Sequence, residues 1–189
     1  GEINCWGRND DYQAGANHPG PYLDVSAGWA HSCAVKAGHS LECWGDASSP
    51  RYPPTTGSYE QVAIGSQHGC ALRTDGTIAC WGNGTDGKTT PPAGTFVALD
   101  AGAYHTCARR ADGTIACWGS NISYTTLVNQ AVAPTGSFVE LVAGGWHNCA
   151  RRADGTSHCW GSYKRFYWNK PANQAMPPST AAFVELAAG

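Results

Sequence analysis

His68-Gly69-Cys70-Ala71-Leu72-Arg73-Thr74-Asp75-Gly76-Thr77-Ile78-Ala79-Cys80-Trp81-Gly82 recurs in closely similar form from His105 to Gly119 and again from His147 to Gly161. A fourth copy, His31 to Gly45, keeps the ends but has no Asp-Gly, and Cys5-Trp6-Gly7 is the tail of a fifth. Self-similarity at this period marks a solenoid, a propeller or an array, in which each unit buries its apolar face against its neighbours. Function is then to be sought in what the copies do not share.

The stretch reads as a β-hairpin. Thr74-Asp75-Gly76, with Gly in the left-handed position, is a common three-residue loop with a bulge. It pairs Arg73 with Thr77, Leu72 with Ile78, Ala71 with Ala79 and Cys70 with Cys80, so two sulfurs face each other where a disulfide closes. The same arithmetic joins Cys107 to Cys117 and Cys149 to Cys159. Cys33 and Cys43 keep the ten-residue spacing across Ala37-Gly38-His39, a turn expected to differ. Of nine cysteines only Cys5 is left over. A framework this regular implies an oxidising, extracellular or cell-surface environment.

Upstream of each hairpin an aromatic stands first, an apolar residue fourth and Gly seventh. The five segments run Tyr22 to Gly28, Tyr59 to Gly65, Phe96 to Gly102, Phe138 to Gly144 and Phe183 to Gly189. Each reads as a buried strand ending in a tight turn. The repeats are approximately 1–28 (split), 29–65, 66–102, 103–144 and 145–189, a single all-β domain of about five units of 37–45 residues. Trp6, Trp44, Trp81, Trp118 and Trp160 recur in register and are assigned to the shared core.

Composition narrows the function. Twelve Lys and Arg against 14 Asp and Glu leave a net charge of −2, with no basic excess for a phosphate backbone, so nucleic acid is not an expected partner. No apolar run approaches the ~18 residues of a membrane span. With 24 Gly and 11 Pro the chain reads as loop-rich β structure. It has no starting Met and reads as a mature or partial product. Asn83-Gly84-Thr85 and Asn121-Ile122-Ser123 are glycosylation sequons, relevant in a glycosylating host.

His31, His68, His105 and His147 each lie two residues before a Cys, which invites a zinc reading. Zinc gathers four ligands in one place, whereas these pairs are spread one to a repeat, so structural histidine beside a disulfide is preferred and no metal or cofactor is assigned.

The repeated His, the Asp-Gly hairpin and the closing Trp-Gly resemble the regulator of chromosome condensation repeat. The resemblance covers essentially the whole chain and looks most like a secreted, cysteine-paired branch. It implies a β-propeller, or a sector of one, with four-stranded blades, usually seven. The chain departs from it after Trp-Gly, where the family's Asn-x-x-Gly-Gln segment gives way to variable Pro- and Thr-rich loops. The ends fall within one repeat: the chain stops at Ala187-Ala188-Gly189 and starts at the second half of a hairpin. An excerpt of a longer chain is favoured over blade completion between the chain's own ends or with a neighbour. Cys5 is expected to bond a cysteine outside residues 1–189, either in flanking sequence or in an adjacent subunit. In the second case the result is head-to-tail self-assembly.

Catalysis finds no support: no nucleophile with a paired base recurs, and Asp75, Asp112 and Asp154 sit at turns that ask for Asp. Binding fits better. Two residues vary between each strand-ending Gly and its His, and these turns are expected to present Trp29, Gln67, Tyr104 and Trp146 together on one face. In the resembling family, turns of this class bind partners in exchange factors and in secreted β-lactamase inhibitors. A second candidate is the insertion carrying Lys164, Arg165, Phe166, Tyr167 and Trp168, which mixes aromatic and cationic side chains. The reading is an extracellular, non-enzymatic protein-interaction or structural assembly module, with a lectin or an inhibitor of a secreted enzyme as alternatives. Its partner is a protein or glycan held through the variable turns.

Overall fold

The computed structural model describes residues 2–7, 9–10, 12, 17–46, 52–123, 126–127, 129–161 and 185–186. Lys164, Arg165, Phe166, Tyr167 and Trp168, and the closing strand from Phe183 to Gly189 apart from 185–186, lie outside them. The first sheet is β1 (Tyr22–Ala27), β2 (His31–Lys36) and β3 (Leu41–Gly45); the second is β4 (Tyr59–Ile64), β5 (His68–Arg73) and β6 (Ile78–Gly82). The third is β7 (Ala98–Ala101), β8 (His105–Arg109) and β9 (Ile115–Gly119). A short hairpin of β10 (Ile122–Ser123) and β11 (Thr126–Leu127) precedes the fourth sheet, β12 (Glu140–Ala143), β13 (His147–Arg151) and β14 (Ser157–Gly161). Every pairing is antiparallel, and the first strands of successive sheets lie side by side, as in a propeller sector.

The hairpin register is as the spacing predicts: Cys70 faces Cys80, Ala71 faces Ala79 and Leu72 faces Ile78, and Arg73 N–H donates to the Thr77 carbonyl at 2.8 Å. All four disulfides form, Cys33–Cys43, Cys70–Cys80, Cys107–Cys117 and Cys149–Cys159, between Cα atoms 4.0–4.1 Å apart. Cys5 is free and half-buried. Each bridge closes a short loop, which in the chain-entropy picture is worth about 2–3 kcal/mol. Replacing Cys107 and Cys117 together by Ser is therefore expected to lower the unfolding free energy by about that amount. Urea titration measures it, and an unmoved midpoint would count against the estimate.

The first hairpin departs from expectation. Its residues differ but its backbone does not: Lys36 N–H donates to the Ser40 carbonyl and His39 N–H to the Lys36 carbonyl, as Arg73 and Gly76 do in the second sheet. His39 takes the left-handed position that Gly76 holds, at φ 62° against 82°. The reason lies in the next blade. The carbonyls of His39, Gly76 and Gly113 accept the N–H of Tyr59, Phe96 and Phe138, at 2.9, 2.8 and 2.9 Å. Each hairpin tip thus holds the opening aromatic of the following sheet, and His39 Nδ1 adds a bond with the Tyr59 carbonyl at 2.8 Å.

Three further expectations are corrected. The blades are three-stranded among the described residues; in the second, the chain after Trp81-Gly82 makes a 3₁₀ turn (Thr85–Gly87) and runs into Pro91-Pro92. Proline has no N–H for a ladder. Trp6 is 88% exposed, whereas Trp81 and Trp118 are 7% and 8% exposed. Those two stand on a β-strand of their own hairpin that Trp6 lacks among the described residues. Val25, at the apolar fourth position, is 50% exposed where Val62 and Leu99 are 3%, since no described strand flanks β1 on its outer side.

A first strand exposes one row of N–H groups toward the preceding sheet, an edge that needs cover. The preceding sheet supplies acceptors. Asp24 Oδ2 accepts from Val62 N–H at 2.7 Å, Ser26 Oγ from Ile64, Gln61 Oε1 from Leu99 and Asp100 Oδ2 from Ala143. Glu140 Oε1 accepts from Leu186 N–H at 3.0 Å in the same way.

Candidate functional site

The variable turns are two-residue links. The N–H groups of Gly28, Gly65, Gly102 and Gly144 donate to the carbonyls of His31, His68, His105 and His147 at 2.8–2.9 Å. This leaves Trp29-Ala30, Ser66-Gln67, Ala103-Tyr104 and Gly145-Trp146 at the tips. The turns are stitched to one another as well: Ser66 N–H donates to the Ala103 carbonyl, and Ala103 N–H to the Gly145 carbonyl, both at 3.0 Å.

Sequence reasoning treated the two tip residues as one position, but they form two rows. First residues, among them Trp29, Ser66, Ala103 and Gly145, line a cavity of about 250 Å³. Second residues hook onto the segment that leaves the third strand of the same sheet: the carbonyls of Ala30, Gln67 and Tyr104 accept the N–H of Asp46, Asn83 and Ser120 at 2.8–2.9 Å. Trp29, 75% exposed, therefore belongs to the first row, apart from Gln67, Tyr104 and Trp146 in the second. Tyr104 and Trp146 are half-buried and their rings meet at a tilt, centroids 6.0 Å apart.

Gln67 and Tyr104 also line a cavity of about 420 Å³ whose other walls are Thr85, Asp86, Lys88, Ser120 and Ile122. Those residues come from the connecting segments and were missed from sequence. The departure from the family pattern after Trp-Gly was the signal that could have found them. The sequon residue Asn83 stands beside this cavity, donating Nδ2–H to Gln67 Oε1 at 3.0 Å and accepting the Thr85 N–H and hydroxyl. Asn121 Oδ1 accepts from Ala131 N–H.

Beneath the turns the histidines join blade to blade. His68 Nε2 bonds the Thr106 hydroxyl at 2.9 Å and His105 Nε2 bonds Asn148 Oδ1 at 2.8 Å. Asn148 gives its amide N–H to the Gln130 carbonyl, which turns Oδ1 toward His105 and makes Nε2 the donor. Burial drives both histidines down to about 4, with the nearby Lys88 charge a further cause at His68; burial also lowers His147. Burial raises Asp24 and Asp100 against the backbone N–H groups they accept. At the exposed turns Asp75, Asp112 and Asp154 are lowered by bonds from Thr77, Thr114 and Thr156, as Asx turns require. Among the described residues no three His, Cys, Asp or Glu side chains gather as a metal site would require.

Three segments, residues 59–88, 96–124 and 138–162, match the Regulator of chromosome condensation (RCC1) repeat. No curated protein matches the chain in sequence. Among solved structures, the ectodomain of the receptor kinase CR4 from Physcomitrella patens is 26% identical, over 87% of this chain and 46% of that one, with a TM-score of 0.69. The CRINKLY WD40 ectodomain of the receptor kinase ACR4 from Arabidopsis thaliana is 27% identical over 79% and 55%, with a TM-score of 0.66. Prp20p from Saccharomyces cerevisiae, at 18% identity over 83% and 52% with a TM-score of 0.67, shares the fold. This chain thus spans about half the length of those proteins. With blades stapled by disulfides and laid side by side, the chain has the fold of a β-propeller sector, and three of its segments match the RCC1 repeat.

Proposed function

We propose that this sector belongs to an extracellular or cell-surface propeller that serves as a protein-interaction module and performs no catalysis. One observation carries the reading. The residues that differ between copies stand at neighbouring turn tips, Gln67, Tyr104 and Trp146 in one row and Trp29 in the other, over a framework of repeated His, Gly and Cys. Relatives at 26–27% identity are receptor-kinase ectodomains, and the disulfides suit the same compartment. In this reading Asn83 and Asn121 are the glycan acceptors.

Trp29 is the clean probe because it is 75% exposed. Trp29→Ala is expected to shift stability by less than about 0.5 kcal/mol while weakening capture of a protein partner by about tenfold or more. Trp146→Ala should weaken capture similarly, with a loss of about 1–2 kcal/mol from its contact with Tyr104. Parallel capture and thermal melts decide between binding and packing roles. A large fall in melting temperature with capture unchanged would assign these aromatics to packing. Saturable binding on a glycan array, abolished by Trp146→Ala, would replace the protein-interaction reading with the lectin one.

A further inference from the structure

Lys88 is 4% exposed, yet its ammonium is held by neutral groups alone. It donates to the Thr85 hydroxyl at 2.7 Å and stands 5.9 Å from the Tyr104 ring centroid. The described ion pairs join His18 and Lys36 to Glu42, and Arg151 to Glu140; Lys88 is in none of them. The Thr85 hydroxyl is itself committed, giving its proton to Asn83 Oδ1 at 2.7 Å. Three N–H donors thus meet one oxygen. Burying an ammonium without a counter-charge is unfavourable, and a framework that holds one in place leaves the compensation to a ligand.

Lys88 is not a loose surface lysine. Its backbone carbonyl accepts the Trp118 indole N–H at 3.0 Å, which ties it to the next blade. The Gln130 carbonyl holds Trp160 in the same manner one blade on, at 3.1 Å. The side chain lines the 420 Å³ cavity together with Gln67, Tyr104 and Ser120. The Gln67 amide oxygen is already occupied by Asn83, which leaves its nitrogen as the donor on that wall. Asp86, which is exposed, is the one carboxylate among the described residues lining the cavity and opposes an incoming anion.

We propose that this cavity is a carboxylate subsite that receives an acidic side chain from a protein partner, Lys88 supplying the counter-charge. The proposal rests on the interaction-face reading and names the chemistry of the partner. A peptide is favoured over an acidic sugar because the Lys88 ammonium lies over the Tyr104 ring and Trp146 is tilted against it, which crowds the stacking a sugar ring would need.

The test is calorimetric titration of the chain with a hexaglutamate peptide, a hexaglutamine peptide and hexagalacturonate. Hexaglutamate should bind and hexaglutamine should not, with affinity falling several-fold on raising salt from about 50 to about 300 mM. Lys88→Met should weaken hexaglutamate at least about tenfold and Lys88→Arg should retain it. The Trp118 bond survives both, being made to a backbone carbonyl. Asp86→Asn, at an exposed position, should tighten binding and needs no change in the core. Equal binding of the two peptides, unchanged affinity in Lys88→Met or Asp86→Asn, or binding of hexagalacturonate in place of hexaglutamate overturns the proposal. Trp29→Ala should leave hexaglutamate binding intact. Partner capture lost in Trp29→Ala, with no hexaglutamate bound by the parent chain, would sink the subsite and leave the interaction reading standing. Hexaglutamate binding without any effect of Trp29→Ala or Trp146→Ala on capture would do the reverse.

Discussion

Gly102→Ala is expected to destabilise the chain by about 3 kcal/mol or more, at the upper end of what overpacking does, because the displaced atoms are a fully buried ring and a backbone carbonyl. A Cβ there would collide with the His105 ring and with the Gly144 carbonyl oxygen. Gly65 is hemmed in alike: its Cβ would lie 2.6 Å from His68 Nδ1 and 2.7 Å from the Gly102 carbonyl oxygen. Neither glycine has a positive φ, so close approach of neighbouring blades, and not turn conformation, requires them. Gly38→Ala is the control, since nothing lies within 4 Å of a Cβ there, and it should be neutral or slightly stabilising. Urea unfolding of the two variants measures the contrast. Equal midpoints would show that the blades part easily enough to admit a methyl group.

Acid is the second large effect. His68 and His105 are buried neutral and are held at about 4, below the ordinary 6.5 of the unfolded chain. Between those values the unfolded state takes up protons that the folded state refuses, so stability falls as pH drops from about 6.5 to about 4. It does not change from this source above 6.5. Each histidine contributes about 3 kcal/mol of loss at the acid end. Asp24 and Asp100 act in the opposite sense. Their raised values mean that the folded state binds protons more readily, so their contribution is present in acid and lost as pH rises through those values. The lowered carboxyls of Asp75, Asp112 and Asp154 matter only at still lower pH, as they titrate below the usual 3.8.

Histidine variants separate these contributions. In His105→Gln the amide can still donate to Asn148 Oδ1, and it does not titrate. The double variant with His68→Gln should lose about two protons' worth of slope between pH 6.5 and 4, near 2.7 kcal/mol per pH unit where both titrate. Urea midpoints at several pH values read this directly. Parallel curves for parent and double variant would show that the histidines are not the acid-sensitive element.

What could be read from the chain alone is local. A disulfide across ten residues, a three-residue loop and an alternating strand are decided by neighbours in sequence, so the register of Cys70 on Cys80 followed from counting. Even there the first hairpin misled, because Ala37-Gly38-His39 lacks the residues of the usual turn. It adopts the same backbone because the His39 carbonyl must meet Tyr59, 20 residues away on the next sheet.

The site was partly legible. Trp29, Gln67, Tyr104 and Trp146 stood out because they vary where the rest repeats. Their division into two rows depends on which side of a two-residue turn each occupies and on how neighbouring turns bond. Lys88 was invisible for a stronger reason: a lysine in a Thr- and Gly-rich linker reads as solvated. Only the packing of that linker against Trp118 removes it from water and sets it beside Tyr104.

The sequence by itself determined the hairpins, their disulfides and the repetition of one unit, since those depend on spacings of a few residues. Tertiary structure alone decided how the units meet: His68 on Thr106 and Asp24 on Val62 across 38 residues, and His105 on Asn148 across 43. Those contacts bury polar groups that must find partners, and which partner is in reach depends on the angle and distance between sheets, which no short-range spacing encodes.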